Sequence, residues 1–214
     1  HDFSIEGEYN ENALSGWRGG YLPTGIGWYR KELKWQEVWQ GKRVILRFDG
    51  VYLNSDVWVN GQHLGHRPNG YVSFEYDITD ELIRRNGKPY AKSVISVRAD
   101  HQLAPTGRWY TGSGIYRHVW LDVVNETHVP NDGLFVGTDQ VDFKNNNAIL
   151  TIDTDIVGLK PNKHFSLVNQ LIDAKGNVAA SQKTNIAASA PEKMTLSQSL
   201  GVAKAILWST DTPY

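Results

Sequence analysis

The chain has 214 residues, 40% hydrophobic and 21% charged, with a formal net charge of −1. That balance is ordinary for a soluble globular protein and gives no electrostatic reason to expect nucleic acid or an anionic membrane as partner. Cysteine is absent, which excludes disulfides, zinc–cysteine sites and thiol nucleophiles and fits a bacterial cytoplasm or periplasm equally. The first residues, HDFSIEGEYN, do not form a signal peptide.

Strand signals dominate from the start. In KRVILRFDG, Val44, Leu46 and Phe48 alternate with Arg43, Ile45 and Arg47, the period of a strand with one buried face. SDVWVNGQHLG follows, and its Asn60-Gly61 pair is the strongest hairpin signal in the chain, because a type I′ turn needs positive φ at both central residues. DITDELIRRNGK is the one helical stretch, a turn or two at most, with Thr79 as cap and Asn86-Gly87 as stop. SVISVRAD alternates again through Ile95, Val97 and Ala99. RWYTGSGIYRHVWL, residues 108–121, reads as a loop entering a strand: Gly112 and Gly114 permit the turn, while Val119 and Leu121 enter a core.

Composition changes abruptly after this strand. Seven of the 8 tryptophans and nine of the 10 tyrosines precede residue 124, and VVNETHVPNDG then supplies polar and turn-forming residues. The shift implies two domains, 1–124 and 125–214. In the second, NAILTIDTDIVG, HFSLVNQLIDAKGNVAASQ and EKMTLSQSLG read as short strands, with Lys175-Gly176-Asn177 as a hairpin turn. Regularly spaced strands with little helix point to a small sandwich of immunoglobulin type.

Catalytic motifs are scarce. TGSGI around Ser113 lacks the spacing of a nucleophile elbow, and GGYLPTGIG opens a strand without the Lys-Ser/Thr ending of a phosphate loop. His63 and His66 have metal-ligand spacing, yet beyond a hairpin turn that spacing does not put both rings on one face, so solvated histidines are expected. Asp49, at a strand end before Gly50, suits a turn or bulge better than acid–base work. Asn125-Glu126-Thr127 is a glycosylation sequon by pattern. The remaining chemistry is aromatic. Trp109 and Tyr110, between Arg108 and Gly112, have the character of a sugar platform, since indole and phenol rings stack on the C–H faces of pyranoses. The alternative is that the pair plugs the end of a sandwich or an interface.

Several stretches carry a resemblance together: HDFSIEG, GIGWYRKEL, LRFDGVYLNSDVWVNGQHLG, NGYVSFEYDIT and RWYTGSGIYRHVWL, with AILWSTDTPY at the close. In this order they resemble the N-terminal part of glycoside hydrolase family 2, its β-galactosidases most of all. The resemblance implies an all-β chain: a jelly-roll (galactose-binding-like) β-sandwich over 1–124, then an immunoglobulin-like β-sandwich over 125–214. It also implies that strands are missing at both ends. The family's catalytic carboxylates lie on a later (β/α)₈ barrel, so none is assigned here, and Asn125-Glu126 is only a superficial match to the family's acid/base motif.

What the resemblance implies for function is a non-catalytic portion of a retaining β-galactosidase, inactive alone. Its partners would be a β-galactoside and the barrel of the same polypeptide, in a homo-oligomer when full length, without cofactor or metal. Arg108 stands where some relatives carry an acidic metal ligand. Arg108, Trp109 and Tyr110 would border the substrate pocket, with Thr24 approaching from a second loop. A β-glucuronidase or β-mannosidase portion, a free-standing carbohydrate-binding module with a spacer domain, and an adhesion fragment are the competing readings.

Overall fold

The computed structural model describes residues 10–13, 16–17, 20–21, 23–84, 86–102, 112–187 and 191–211. The chain divides into two compact units, His1–Val124 and Asn125–Tyr214. Among the described residues regular structure is almost entirely strand, as the alternation in the sequence requires.

Among the described residues the first unit has β1 (Ile26–Lys34), β2 (Arg43–Phe48), β3 (Val51–Tyr52), β4 (Ser55–Val59), β5 (Gln62–Arg67), β6 (Phe74–Asp77), β7 (Lys92–Asp100), β8 (Gly114–Ile115) and β9 (Val119–Val124). They form a four-stranded sheet ordered β1-β7-β4-β5, a three-stranded sheet ordered β6-β2-β9, and the short pair β3-β8. Val44, Leu46 and Phe48 of β2 pack with Val57 and Val59 of β4 and with Ile95, Val97 and Ala99 of β7. The alternating faces read from the sequence thus meet as the core of a sandwich. The β4–β5 turn has Asn60 at φ 50° and Gly61 at φ 84°, as a type I′ hairpin demands. The Asn60 amide then donates to Glu81 O and Ser93 Oγ, while its Oδ1 accepts from Val94 N, tying the turn to neighbouring segments.

Three local expectations are corrected. DITDELIRRNGK forms a single 3-10 turn, Asp80–Leu82, and Thr79 does not cap it. Instead Thr79 Oγ1 accepts from Val44 N, and Asp77 Oδ1 accepts from both Thr79 N and Thr79 Oγ, so the polar side chains serve the sheet edge. In β9, Leu121 and Val123 pack on the core, whereas Val119 is 43% exposed, because the strand has only begun to enter the sandwich there. His63 and His66 do share a face. A bulge between Val57 and Trp58 leaves Leu64 unpaired on β5, so both rings reach Asp56 Oδ1, at 2.9 and 3.3 Å. One extra residue flips the alternation, which sequence spacing alone does not reveal.

The second unit has β10 (Leu134–Asp142), β11 (Asn147–Ile156), β12 (Phe165–Ile172), β13 (Val178–Ile186) and β14 (Met194–Val202). These form a sheet ordered β10-β11-β14 and the hairpin β12-β13. Ile156, Leu159 and Ile186 make its apolar centre, with Phe165, Leu167, Met194 and Leu196 against them. A polar chain crosses between the sheets: Asn169 Nδ2 donates to Thr154 Oγ1 and Gln198 Oε1, and Gln198 Nε2 donates to Thr184 Oγ1. Thr154 and Gln198 are buried, and their mutual bonding removes the cost of unpaired polar groups. At the β12–β13 turn Gly176 has φ 85°, and Asp173 Oδ1 accepts from Lys175 N and Asn177 N.

Candidate functional site

Pairing of β1 with β7 opposes Ile26 to Asp100, so the chain before β1 and the chain after β7 leave the sheet at the same edge. His101 N donates to Gly25 O at 2.8 Å, carrying the ladder one step beyond the strands. The β3–β4 corner joins them: Asp100 N donates to Leu53 O and Asn54 Nδ2 to Asp100 O at 3.4 Å. Asn54 sits at φ 43°, a left-handed conformation that asparagine tolerates better than most residues.

His101 anchors this edge. It is 2% exposed, with the Tyr52 ring edge-on at 4.9 Å and Nδ1 at 2.6 Å from Ser113 Oγ. Burial pushes its ring below the ordinary imidazole range, opposed by the nearby Asp100 carboxylate. Gly114 follows at φ 83° and pairs with Tyr52. The His101–Ser113 bond therefore ties the end of β7 to the start of β8. A small cavity of about 80 Å³ opens beside it, lined by Gly25, Gly27, Trp28, Tyr29, Ala99, Ser113 and Gly114.

Of the residues singled out from the sequence, Thr24 lies at this edge, next to Gly25, and its buried hydroxyl has no hydrogen-bond partner. A buried hydroxyl without a partner, one residue from the cavity-lining Gly25, is a group that a bound water would satisfy. Arg108, Trp109 and Tyr110 lie outside the described residues; the flanking Gln102 and Gly112 place the two ends of their segment at the same edge. Asn54, His101 and Ser113 escaped the sequence reading as site residues. Asn54 carried a faint signal, a polar residue in the short break between strand patterns at LNSD.

The other candidates have structural roles. Asp49 Oδ1 pairs with Arg47 Nη1, and its Oδ2 accepts from Trp120 Nε1, both at 2.7 Å. Glu126 pairs with Lys160. Among the described residues no cluster of three or more His, Cys, Asp or Glu is arranged to hold a metal ion; the two histidines on Asp56 direct their nitrogens at its carboxylate.

Residues 21–124 match the family described as glycosyl hydrolases family 2, sugar binding domain. Over 219 aligned residues the chain is 40% identical to the beta-galactosidase BoGH2A of Bacteroides ovatus, covering all of this chain and 24% of that protein. A beta-glycosidase from Bacteroides vulgatus superposes with a TM-score of 0.84 at 40% identity, over 99% of this chain and 26% of that one. A beta-glucuronidase from Bacteroides uniformis gives a TM-score of 0.76 at 29% identity, over 88% and 23%. The chain thus spans about a quarter of the length of these relatives.

Proposed function

Because this chain belongs to glycosyl hydrolase family 2, whose sugar-binding domain it carries, we propose that it is the non-catalytic N-terminal portion of a retaining β-galactosidase acting on terminal β-D-galactosides. The observation that carries the reading is the sheet edge itself. Thr24, Asn54, His101 and Ser113 come from four separate stretches of sequence and converge on the two ends of the segment holding Arg108, Trp109 and Tyr110. Neutral hydroxyl and amide groups beside aromatic residues suit an uncharged sugar with a hydroxyl rim. In this reading the first unit borders the substrate pocket and the second is an immunoglobulin-like spacer. A (β/α)₈ barrel elsewhere in the polypeptide supplies both carboxyl groups.

A β-glucuronidase portion is the second reading, favoured by the likeness to the Bacteroides uniformis enzyme. A uronate would need a cationic partner at the pocket, and Arg108 is the cation within the segment concerned. The test is hydrolysis of nitrophenyl β-galactoside and β-glucuronide by the longer polypeptide that contains this chain. Preference for the galactoside is expected, with Trp109→Ala lowering kcat/KM by about tenfold or more through loss of a stacked ring. Preference for the glucuronide moves the assignment to the second reading, and hydrolysis of neither overturns both.

A further inference from the structure

The outward face of the β1-β7-β4-β5 sheet carries an arrangement that a merely solvated face does not need. Side chains on it alternate with the core-facing Tyr29, Val57 and Val97. Trp28 on β1 stands opposite Arg98 on β7, and Arg98 opposite Asp56 on β4. One step along, Trp58 on β4 lies between Ser96 and His63. Although β7 separates their strands, the Trp28 and Trp58 rings approach to 5.2 Å between centroids, tilted by 31°. The small Ser96 side chain lets them lean together across β7. His63 extends the aromatic row, 5.0 Å from Trp58.

Beside the rings runs a preorganised polar strip. Arg98 lies between two carboxylates, with Nη1 at 3.5 Å from Asp56 and Nη2 at 2.6 Å from Asp100. His63 and His66 hold Asp56 from the other side. Burial raises the Asp56 carboxyl, but the hydrogen bonds and charge of the two histidines outweigh that and leave it below the ordinary range. Trp28 nevertheless remains 52% exposed. Large indole surface beside fixed donors and acceptors marks a recognition surface more than a packing one.

We infer that this face is a glycan-binding platform, running from the edge at Thr24, whose small cavity shares Trp28, across β7 to Trp58, and that its occupant is a chain of neutral pyranoses. The rings would take the C–H faces of successive sugars, while Asp56 and Asp100 accept from hydroxyls and Arg98 donates to them. Because these groups already hold one another, little side-chain freedom is lost on binding. The guanidinium of the strip is already held between two carboxylates, so a uronate would have to displace one of them to pair with it, whereas a neutral hydroxyl would not. Binding here requires no bond cleavage, so its failure would leave the glycosidase reading untouched.

The test is affinity electrophoresis of the 214-residue chain through gels containing soluble β-galactan, arabinogalactan or xyloglucan, with polygalacturonate as the charged comparison. At least one neutral polysaccharide should retard the chain, and polygalacturonate should retard it less. Trp28→Ala and Trp58→Ala should each weaken retardation by about tenfold, Trp28→Phe should keep most of it, and Trp58→Ala should weaken it more than Thr24→Ala does. Thermal midpoints of the tryptophan variants establish that each is folded. The proposal is overturned if no neutral polysaccharide retards the chain, if folded Trp28→Ala and Trp58→Ala bind like the parent, or if polygalacturonate binds better. Loss on Thr24→Ala alone would put the binding at the sheet edge and equally overturn it.

Discussion

His101 lies against Tyr52 and Ser113 beside Asp100, and its titration has a direct consequence for stability. Burial lowers its folded pKa from the ordinary 6.5, with Asp100 as the opposing influence. The unfolded chain therefore binds a proton in a pH range where the folded chain resists one. Stability is full above about pH 6.5 and falls as pH drops below that value toward the folded pKa. Urea midpoints measured from pH 7.5 to 5.5 should decline in the parent, and the decline should be shallower in His101→Asn; equal slopes would remove His101 as the cause. Trp120 is a second case where surroundings set the size of an effect. It is 43% exposed, donates to Asp49, and has the Arg47 guanidinium 5.6 Å from its ring centroid. Trp120→Ala should cost about 1–2 kcal/mol, the scale of a lost hydrogen bond and a partly solvated cation–π contact. Phe48→Ala, at a position 1% exposed, should cost about 3–5 kcal/mol. Denaturant midpoints in the reverse order would contradict this placement of the two rings.

Among elements, β8, like its partner β3 only two residues long, is the strand beside the candidate site with least tolerance. Gly114 has φ 83°, and a Cβ there would overlap the Tyr29 hydroxyl. That hydroxyl also accepts from Ile115 N at 3.3 Å, so it cannot move without releasing the strand. At Gly112, two residues earlier, a Cβ would meet none of the described residues. Gly114→Ala should therefore destabilise by about 2 kcal/mol or more, with Gly112→Ala close to neutral. Paired thermal melts decide it: equal midpoints for the two variants would mean that β8 does not need the left-handed residue. Of the two glycines that the sequence suggests for this turn, the second stands at a left-handed position.

At the scale of the whole molecule, the chain alone is expected not to hydrolyse a β-galactoside. A retaining mechanism needs two carboxyl groups about 5–5.5 Å apart on either side of one glycosidic bond. The prominent carboxylate pairs among the described residues each enclose a guanidinium instead: Asp56 and Asp100 meet on Arg98, and Asp49 and Asp122 on Arg47. An arginine occupies the space where a scissile oxygen would sit. Turnover by purified chain, surviving removal of host galactosidase, would contradict both this expectation and the assignment of the chemistry to a barrel elsewhere in the polypeptide.

The alternation of Val44, Leu46 and Phe48, the Asn60-Gly61 turn and the Lys175-Gly176-Asn177 turn were legible in the chain because they are local. Side-chain period and positive φ depend on a few neighbouring residues and on backbone chirality. Family motifs were equally legible, being ordered residue types. Burial in β9 was legible in part: Leu121 lies against the core as the alternation suggests, whereas the exposure of Val119 at the start of the strand is set by how far the opposing sheet reaches. The joint approach of His63 and His66 to Asp56 was not legible, because it depends on one unpaired residue in β5. The candidate site was the least legible feature of all. Thr24, Asn54, His101 and Ser113 are distant in sequence and become neighbours only through the pairing of β1 with β7 and of β3 with β8. Such long-range pairings arise from burying a shared core, a property of the whole fold that no short stretch of residues encodes.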